Sequence, residues 1–137
     1  SMYRSFYLAE CSALYFSAES ISSESVFSGA RNVFVCGALQ DPVEMSALLG
    51  LEPPFAPAAA VGYRRAVERI DGRDIALMVP DPEDPGSVLT GVVWLDLAAE
   101  ILEKIELLEL DGGFRKRIRI EARIGERRVS AYTYVKK

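Results

Sequence analysis

Three apolar β-formers, Val33-Phe34-Val35, run into Cys36-Gly37-Ala38-Leu39-Gln40 and then into Asp41-Pro42. That order calls for a short buried strand, a bare loop and a helix start. Val and Phe suit a pleated, buried environment, and Gly37 lets the main chain turn or approach a ligand where a Cβ would obstruct. Asp41 offers an N-cap, Pro42 the first helical position and Glu44 the reach-back of a capping box. Successive amide donors beside such a turn can hold an anion, such as an amino-acid carboxylate. The plainer alternative is a buried strand followed by an ordinary turn.

Beyond this segment the pattern alternates between strands and one further helix. Pro42 to Leu49 is predicted as a helix closed by Gly50, and the Pro-rich Glu52 to Pro57 as an irregular connection. Strand-like stretches follow at Ala59 to Ile70 and Ile75 to Val79, joined through Asp71-Gly72-Arg73, a composition typical of a hairpin turn. Asp81-Pro82-Glu83-Asp84-Pro85-Gly86 reads as a surface loop, because two prolines and a glycine resist any ladder. Val88 to Leu95 resumes as a strand, with Gly91 a bulge or a close approach. Asp96 is placed to cap a helix from Leu97 to about Leu110, stopped by Gly112-Gly113. From Phe114 to Ile124 apolar residues share one parity and Arg115, Arg117, Arg119, Glu121 and Arg123 the other. A turn at Gly125-Glu126 then leads to a last strand, Val129 to Val135. The reading is an α+β domain with a curved, largely antiparallel sheet and two helices, and no internal repeat.

Composition narrows the function classes. The chain has 137 residues, half of them hydrophobic, enough for one domain with a core able to enclose a small pocket. A net charge of −4 and a pI near 4.9 argue against nucleic acid as a partner. The charge is uneven: ten acidic residues and only Lys104 on the basic side lie between Asp74 and Gly113, whereas Phe114 to Lys137 holds nine basic and two acidic residues. Such a basic strand face is either solvated and paired with acidic neighbours or a polyanion site. Histidine is absent, which removes Ser-His-Asp and Cys-His catalysis and imidazole metal ligation. Cys11 and Cys36 show no paired spacing, so no disulfide framework and no metal centre are expected, and a reducing cytoplasm fits best. No apolar run reaches membrane-spanning length, and residues 1 to 30 lack the pattern of a secretory signal. Within those thirty residues Phe6, Tyr7, Leu14, Tyr15 and Phe16 could form a strand or short helix, and Ser20 to Ser28 a loop. Residues 1–32 are therefore set apart as an N-terminal extension, with the domain proper at 33–137.

One carboxylate stands on the wrong face. At about 100° per residue with Leu97 as zero, Leu108, Ile101, Ile105, Ala98 and Leu102 form an apolar arc from about 20 to 140°. Glu100 and Glu103 fall well outside it and Glu106 on its boundary. Glu109 falls near 120°, inside the arc. A buried unpaired carboxylate is costly and ordinarily takes a partner or a raised pKa, which makes Glu109 a candidate acid or base. The alternatives are fraying of the helix before Gly112, or pairing with Arg115 or Arg117.

Taken in order, these segments resemble the γ-glutamylcyclotransferase-like, or AIG2-like, family. Its opening strand, Tyr-Gly-x-Leu motif and Asp-Pro helix start are matched by Val33-Phe34-Val35-Cys36-Gly37-Ala38-Leu39 with Asp41-Pro42. Gly62-Tyr63-Arg64, the segment Ala76-Leu77-Met78-Val79-Pro80-Asp81 and Gly91-Val92-Val93-Trp94 match its following strands. Ile105-Glu106-Leu107-Leu108-Glu109-Leu110, then Phe114-Arg115-Lys116-Arg117, occupy the place of a Leu-Asp-x-x-Glu-Gly helix end with its aromatic and basic followers. Thr133-Tyr134-Val135 stands at the final Val-Tyr-Val-like strand. Three positions depart from the motifs: Cys36 replaces tyrosine, Glu106 replaces aspartate and Leu110 replaces glycine.

The resemblance implies a small mixed, mostly antiparallel β-barrel with flanking helices and a cavity beside the first loop. It implies a cofactor-free acyltransferase that converts a γ-glutamyl amino acid, peptide or amine to 5-oxoproline and a free amine, with Glu109 as general acid/base and no metal. Cys36, Gly37, Ala38 and Leu39 would contact the γ-glutamyl end of the substrate. Tyr63, Tyr132 and Tyr134 either line the cavity or pack the sheet, with Tyr63 and Tyr134 taken as substrate contacts. The expected partner is this small molecule alone, with neither nucleic acid nor membrane involved. The competing expectation is a noncatalytic small-molecule-binding or interaction module of the same fold.

Overall fold

The computed structural model describes residues 31–137. The expectations for Phe6, Tyr7, Leu14, Tyr15, Phe16 and the Ser20 to Ser28 loop, together with Cys11, lie outside the described residues. The chain order is β1 (Val33–Val35), a 3-10 turn (Ala38–Gln40), α1 (Pro42–Leu49), β2 (Phe55–Val61), β3 (Tyr63–Ile70), β4 (Arg73–Pro80) and β5 (Val88–Trp94). It continues with α2 (Ala99–Glu109), a second 3-10 turn (Asp111–Gly113), β6 (Arg115–Ile124) and β7 (Arg127–Lys136). Five strands close a barrel in the order β1-β5-β2-β6-β7, while β3 and β4 form a separate two-stranded hairpin. Every pairing is antiparallel except β1 with β7, which is parallel and closes the barrel at Val33 and Tyr132. The expected mixed, mostly antiparallel barrel with flanking helices is what the chain forms.

β1 is buried on both faces because it sits between two cores. Phe34 points into the barrel with Ala58, Met78, Val93, Ala122 and Ala131. Val33 and Val35 point the other way, toward Met45 and Leu49 of α1 and Ile101, Leu102 and Ile105 of α2. A strand buried on both sides reads as a continuous apolar run, which is what Val-Phe-Val is. Gly91 of β5 lies where these layers meet. A Cβ there would stand 2.3 Å from the Val35 carbonyl oxygen and 2.8 Å from the Phe34 ring, so the glycine marks a close approach between strands. Asn32, fully buried, fixes the entry to β1 by donating from Nδ2 to the Ser130 carbonyl and accepting at Oδ1 from the Asp96 amide.

Several sequence-based boundaries are corrected. The predicted strand from Ala59 to Ile70 is two strands, broken at Gly62, whose φ of +85° turns the chain out of the barrel. The stretch read as irregular up to Pro57 is already strand from Phe55. Pro57 is exposed and pairs with Val92 of β5, while the register to β6 runs through Ala59, so a missing amide is tolerated there. Asp96 does not cap α2. It adopts φ +50° and gives its amide to Asn32, and the helix starts two residues later with Ala98 as an N-cap that makes no side-chain bond. Leu108, expected in the core-facing arc, is half exposed because a cavity opens beside the last turn of α2. At α1, Asp41 accepts from the Val43 amide and Gly50 takes a left-handed C-cap as expected. The Asp41 amide, however, donates to the Ala38 carbonyl in place of Glu44. Among the described residues no helix is long and apolar enough to cross a membrane.

Candidate active site

The loop after β1 is held open by its neighbours. Gln40 Nε2 and an Arg65 guanidinium nitrogen both donate to the Cys36 carbonyl, and the buried Trp94 indole donates to the Leu39 carbonyl at 2.9 Å. The first bond inside the 3-10 turn runs from the Gln40 amide to the Gly37 carbonyl. The amides of Gly37, Ala38 and Leu39 precede that bond, and among the described residues none of them donates a loop hydrogen bond. Consecutive free amides on a rigid turn are the donor set that an anion takes.

This loop forms one wall of a cavity of about 330 Å³. Cys36, Gly37, Ala38 and Leu39 line it from β1 and the turn, Glu109 from the end of α2, and Tyr134 and Thr133 from β7. Ala76, Leu77, Met78 and Arg65 of the hairpin close another side, with Arg115 at the start of β6. The volume is in the range of small-molecule sites. Tyr63 is not part of this cavity; it lies just beyond Gly62, against the apolar cluster of the barrel, and lines a separate depression. Arg65, Thr133 and Glu44 also line the cavity, although the sequence assigned none of them to the site. Arg65 is the second of two consecutive arginines on a strand that otherwise alternates, and only the fold of the hairpin over the barrel brings it here.

The Glu109 side chain is mostly enclosed, and burial raises its pKa above the ordinary carboxylate value, with Arg115 opposing that rise. Arg115 Nε lies 3.8 Å from the Glu109 carboxylate, and the same guanidinium donates to the carbonyls of Glu109 and Ala76. The pairing with Arg115 weighed from sequence is therefore present, and so is the inward orientation. Cys36 also has a raised pKa, chiefly through burial and against the pull of Arg65, so at neutral pH it is a thiol rather than a thiolate. The Tyr134 hydroxyl donates to Glu106 at 3.1 Å, and Glu106 is held in turn by Arg117 at 2.7 Å. Burial pushes the phenol far above its ordinary value, with Glu106 acting in the same direction, so Tyr134 is a fixed neutral donor. The charge of Glu109 also raises both Cys36 and Tyr134, a sign that all three share one field. Among the described residues no group of three or more His, Cys, Asp or Glu side chains is placed to hold a metal ion.

No protein-family model and no curated protein matches the chain. Solved structures do. A protein of Arabidopsis thaliana known from a solution structure is 25% identical with a TM-score of 0.63, covering 77% of this chain and 68% of its own. A second from the same plant is 24% identical with a TM-score of 0.62, covering 77% of this chain and 61% of its own. A γ-glutamyl cyclotransferase superposes with a TM-score of 0.66 at 15% identity, over 78% of this chain and 66% of that one. The chain thus spans about two thirds of the length of the structures it resembles. The closed five-stranded barrel of this chain, with its hairpin and two helices, superposes on these structures over more than three quarters of its length, and the chain has the γ-glutamylcyclotransferase-like fold.

Proposed function

We propose that the protein is a cofactor-free cyclotransferase acting on a γ-glutamyl amino acid, peptide or amine. The observation that supports this best is a single cavity lined both by Gly37, Ala38 and Leu39, whose amides donate no loop hydrogen bond among the described residues, and by Glu109, a carboxylate with a raised pKa. In this reading the substrate's carboxylate sits on the amides, and its chain folds so that the α-nitrogen approaches its own γ-carbonyl. Glu109 takes a proton from the α-ammonium, and the freed amine attacks the γ-carbon to form the ring C–N bond. As the original γ-C–N bond breaks, Glu109 returns the proton to the departing nitrogen, and the second proton of the ring nitrogen passes to the released amine, which leaves as an ammonium. A carboxyl whose pKa lies nearer neutrality serves both transfers better than an ordinary one. Enclosure in the cavity converts a flexible chain into an intramolecular nucleophile, a source of large rate gains. A reducing cytoplasm suits this reading, in which Cys36 remains a thiol.

The test is incubation with a panel of γ-glutamyl compounds and detection of 5-oxoproline. Glu109→Gln, which keeps the shape and removes the acid/base, is expected to lower the rate at least about 100-fold. Wild-type rates in that variant would sink the mechanism. Two observations favour a second reading, a noncatalytic binding module. Arg115 already pairs with Glu109, and Cys36 stands where the resembled motif has tyrosine. Under that reading γ-glutamyl compounds raise the melting temperature without turnover, and any enzymatic 5-oxoproline counts against it.

A further inference from the structure

A second cavity, of about 400 Å³, shares no lining residue with the Glu109 site. Arg119, Arg123, Arg128 and Glu121 surround it on the outer face of β6 and β7, with Tyr63 at its edge and Ala60, Val61 and Ile120 supplying apolar surface. Its charge runs against that of the whole protein: three guanidinium groups and one carboxylate, in a chain of net charge −4.

The arrangement is internally unfavourable. Arg123 and Arg128 are direct cross-strand partners, and like charges in that position repel. Among the described residues Glu121 reaches only Arg128, at 3.8 Å, with both side chains about two thirds exposed, a geometry that contributes little. Arg119 is fixed in place without being neutralised. Its guanidinium lies 4.2 Å from the centroid of the Tyr132 ring and donates to the Ser130 hydroxyl at 2.8 Å. Charge is therefore concentrated around a concave surface and held ready by contacts that leave it intact.

We propose that this cavity is a binding site for a small organic phosphate. A phosphate dianion matches the excess of two positive charges, and adjacent guanidinium forks suit its oxygens. The apolar residues and Tyr63 would receive the organic part. A bare carboxylate would leave one arginine uncompensated.

The probes are phenyl phosphate and inorganic phosphate, with binding to the full chain followed by calorimetry and amide chemical shifts. Phenyl phosphate is expected to bind with a Kd of about 1 mM or below at low salt and more tightly than inorganic phosphate. Its affinity should fall as ionic strength rises. Arg123→Thr should weaken it at least about fivefold and, by relieving the repulsion, raise the melting temperature of the free chain. Arg73→Gln, remote from the cavity, should change neither. In the wild-type chain the shifted resonances should cluster at Tyr63, Arg119, Arg123 and Arg128, which keeps the test valid if a variant folds poorly. Absence of saturation by about 10 mM, shifts clustered elsewhere, or binding unaffected by Arg123→Thr would overturn the proposal. So would tight binding of an oligonucleotide that phenyl phosphate cannot displace, since that would make the arginines part of a macromolecular surface.

Discussion

Arg115 holds Glu109 twice, by donating to its main-chain carbonyl at 3.4 Å and by placing Nε 3.8 Å from its carboxylate. One side chain thus holds the end of α2 and opposes the rise in pKa of the group that faces the cavity. Burial and Arg115 act on Glu109 in opposite directions, and burial is the larger.

Removing the guanidinium leaves burial unopposed. In Arg115→Gln the Glu109 pKa should rise further, so the acid limb of the kcat/KM profile moves to higher pH. A carbon-detected NMR titration of the Glu109 carboxyl reads the same shift without depending on turnover. A limb or titration that moves to lower pH would contradict the assigned opposition.

The same raised pKa makes a stability prediction. A carboxyl whose folded pKa exceeds its unfolded one favours folding more when protonated, so its ionisation destabilises the chain as pH rises through the folded pKa. Glu109→Gln should therefore have a higher melting temperature than the wild type above that pKa. The difference should shrink as pH falls below the ordinary value of 4.5. Melting curves across pH 4 to 8, a window spanning ordinary and raised carboxyl values, decide it.

Trp94 links the core to the loop that carries the free amides. Trp94→Phe leaves the Leu39 carbonyl without its indole donor in a buried setting, at a cost of about 1–3 kcal/mol. Urea unfolding should show that loss, and substrate KM should rise because the turn is no longer pinned. An unchanged KM would separate the turn from substrate binding.

Gly91→Ala tests the strand contact beneath the same loop. The added methyl would have to displace the Val35 carbonyl or the Phe34 ring, and backbone cannot yield as a flexible side chain does. A loss of about 2 kcal/mol or more is expected from urea denaturation.

What the sequence revealed depended on how local each cause was. The cap at Asp41-Pro42, the left-handed stop at Gly50 and the alternation of β6 are set by neighbouring residues, and each is present. The two-residue turn at Asp71-Gly72, both with positive φ, is equally local. Gly62 was harder to read, because a positive φ in the midst of β-formers has no signature beyond the glycine itself. Asp96 looked like a cap from its neighbours alone, but its conformation is set by Asn32, 64 positions away. In the candidate site, Glu109 was visible through helical periodicity, and Arg115 by its nearness in the chain. Arg65 was not, since only tertiary folding carries it to the Cys36 carbonyl.

The hairpin of β3 and β4 forms a wall of the Glu109 cavity, yet among the described residues no ladder pair joins it to the barrel. Its ties are side-chain ones, including Arg65 to Cys36, Arg115 to Ala76 and Lys136 to Glu68, together with the burial of Met78. Displacing this wall would break those contacts and leave every backbone bond of the closed barrel in place. The polar ties of this wall are accordingly separate from the ladder of the barrel, while Met78 alone among these contacts joins the wall to the barrel core. A substitution at Arg65 or Lys136 therefore loosens the wall without touching a backbone bond of the scaffold that orients Glu109.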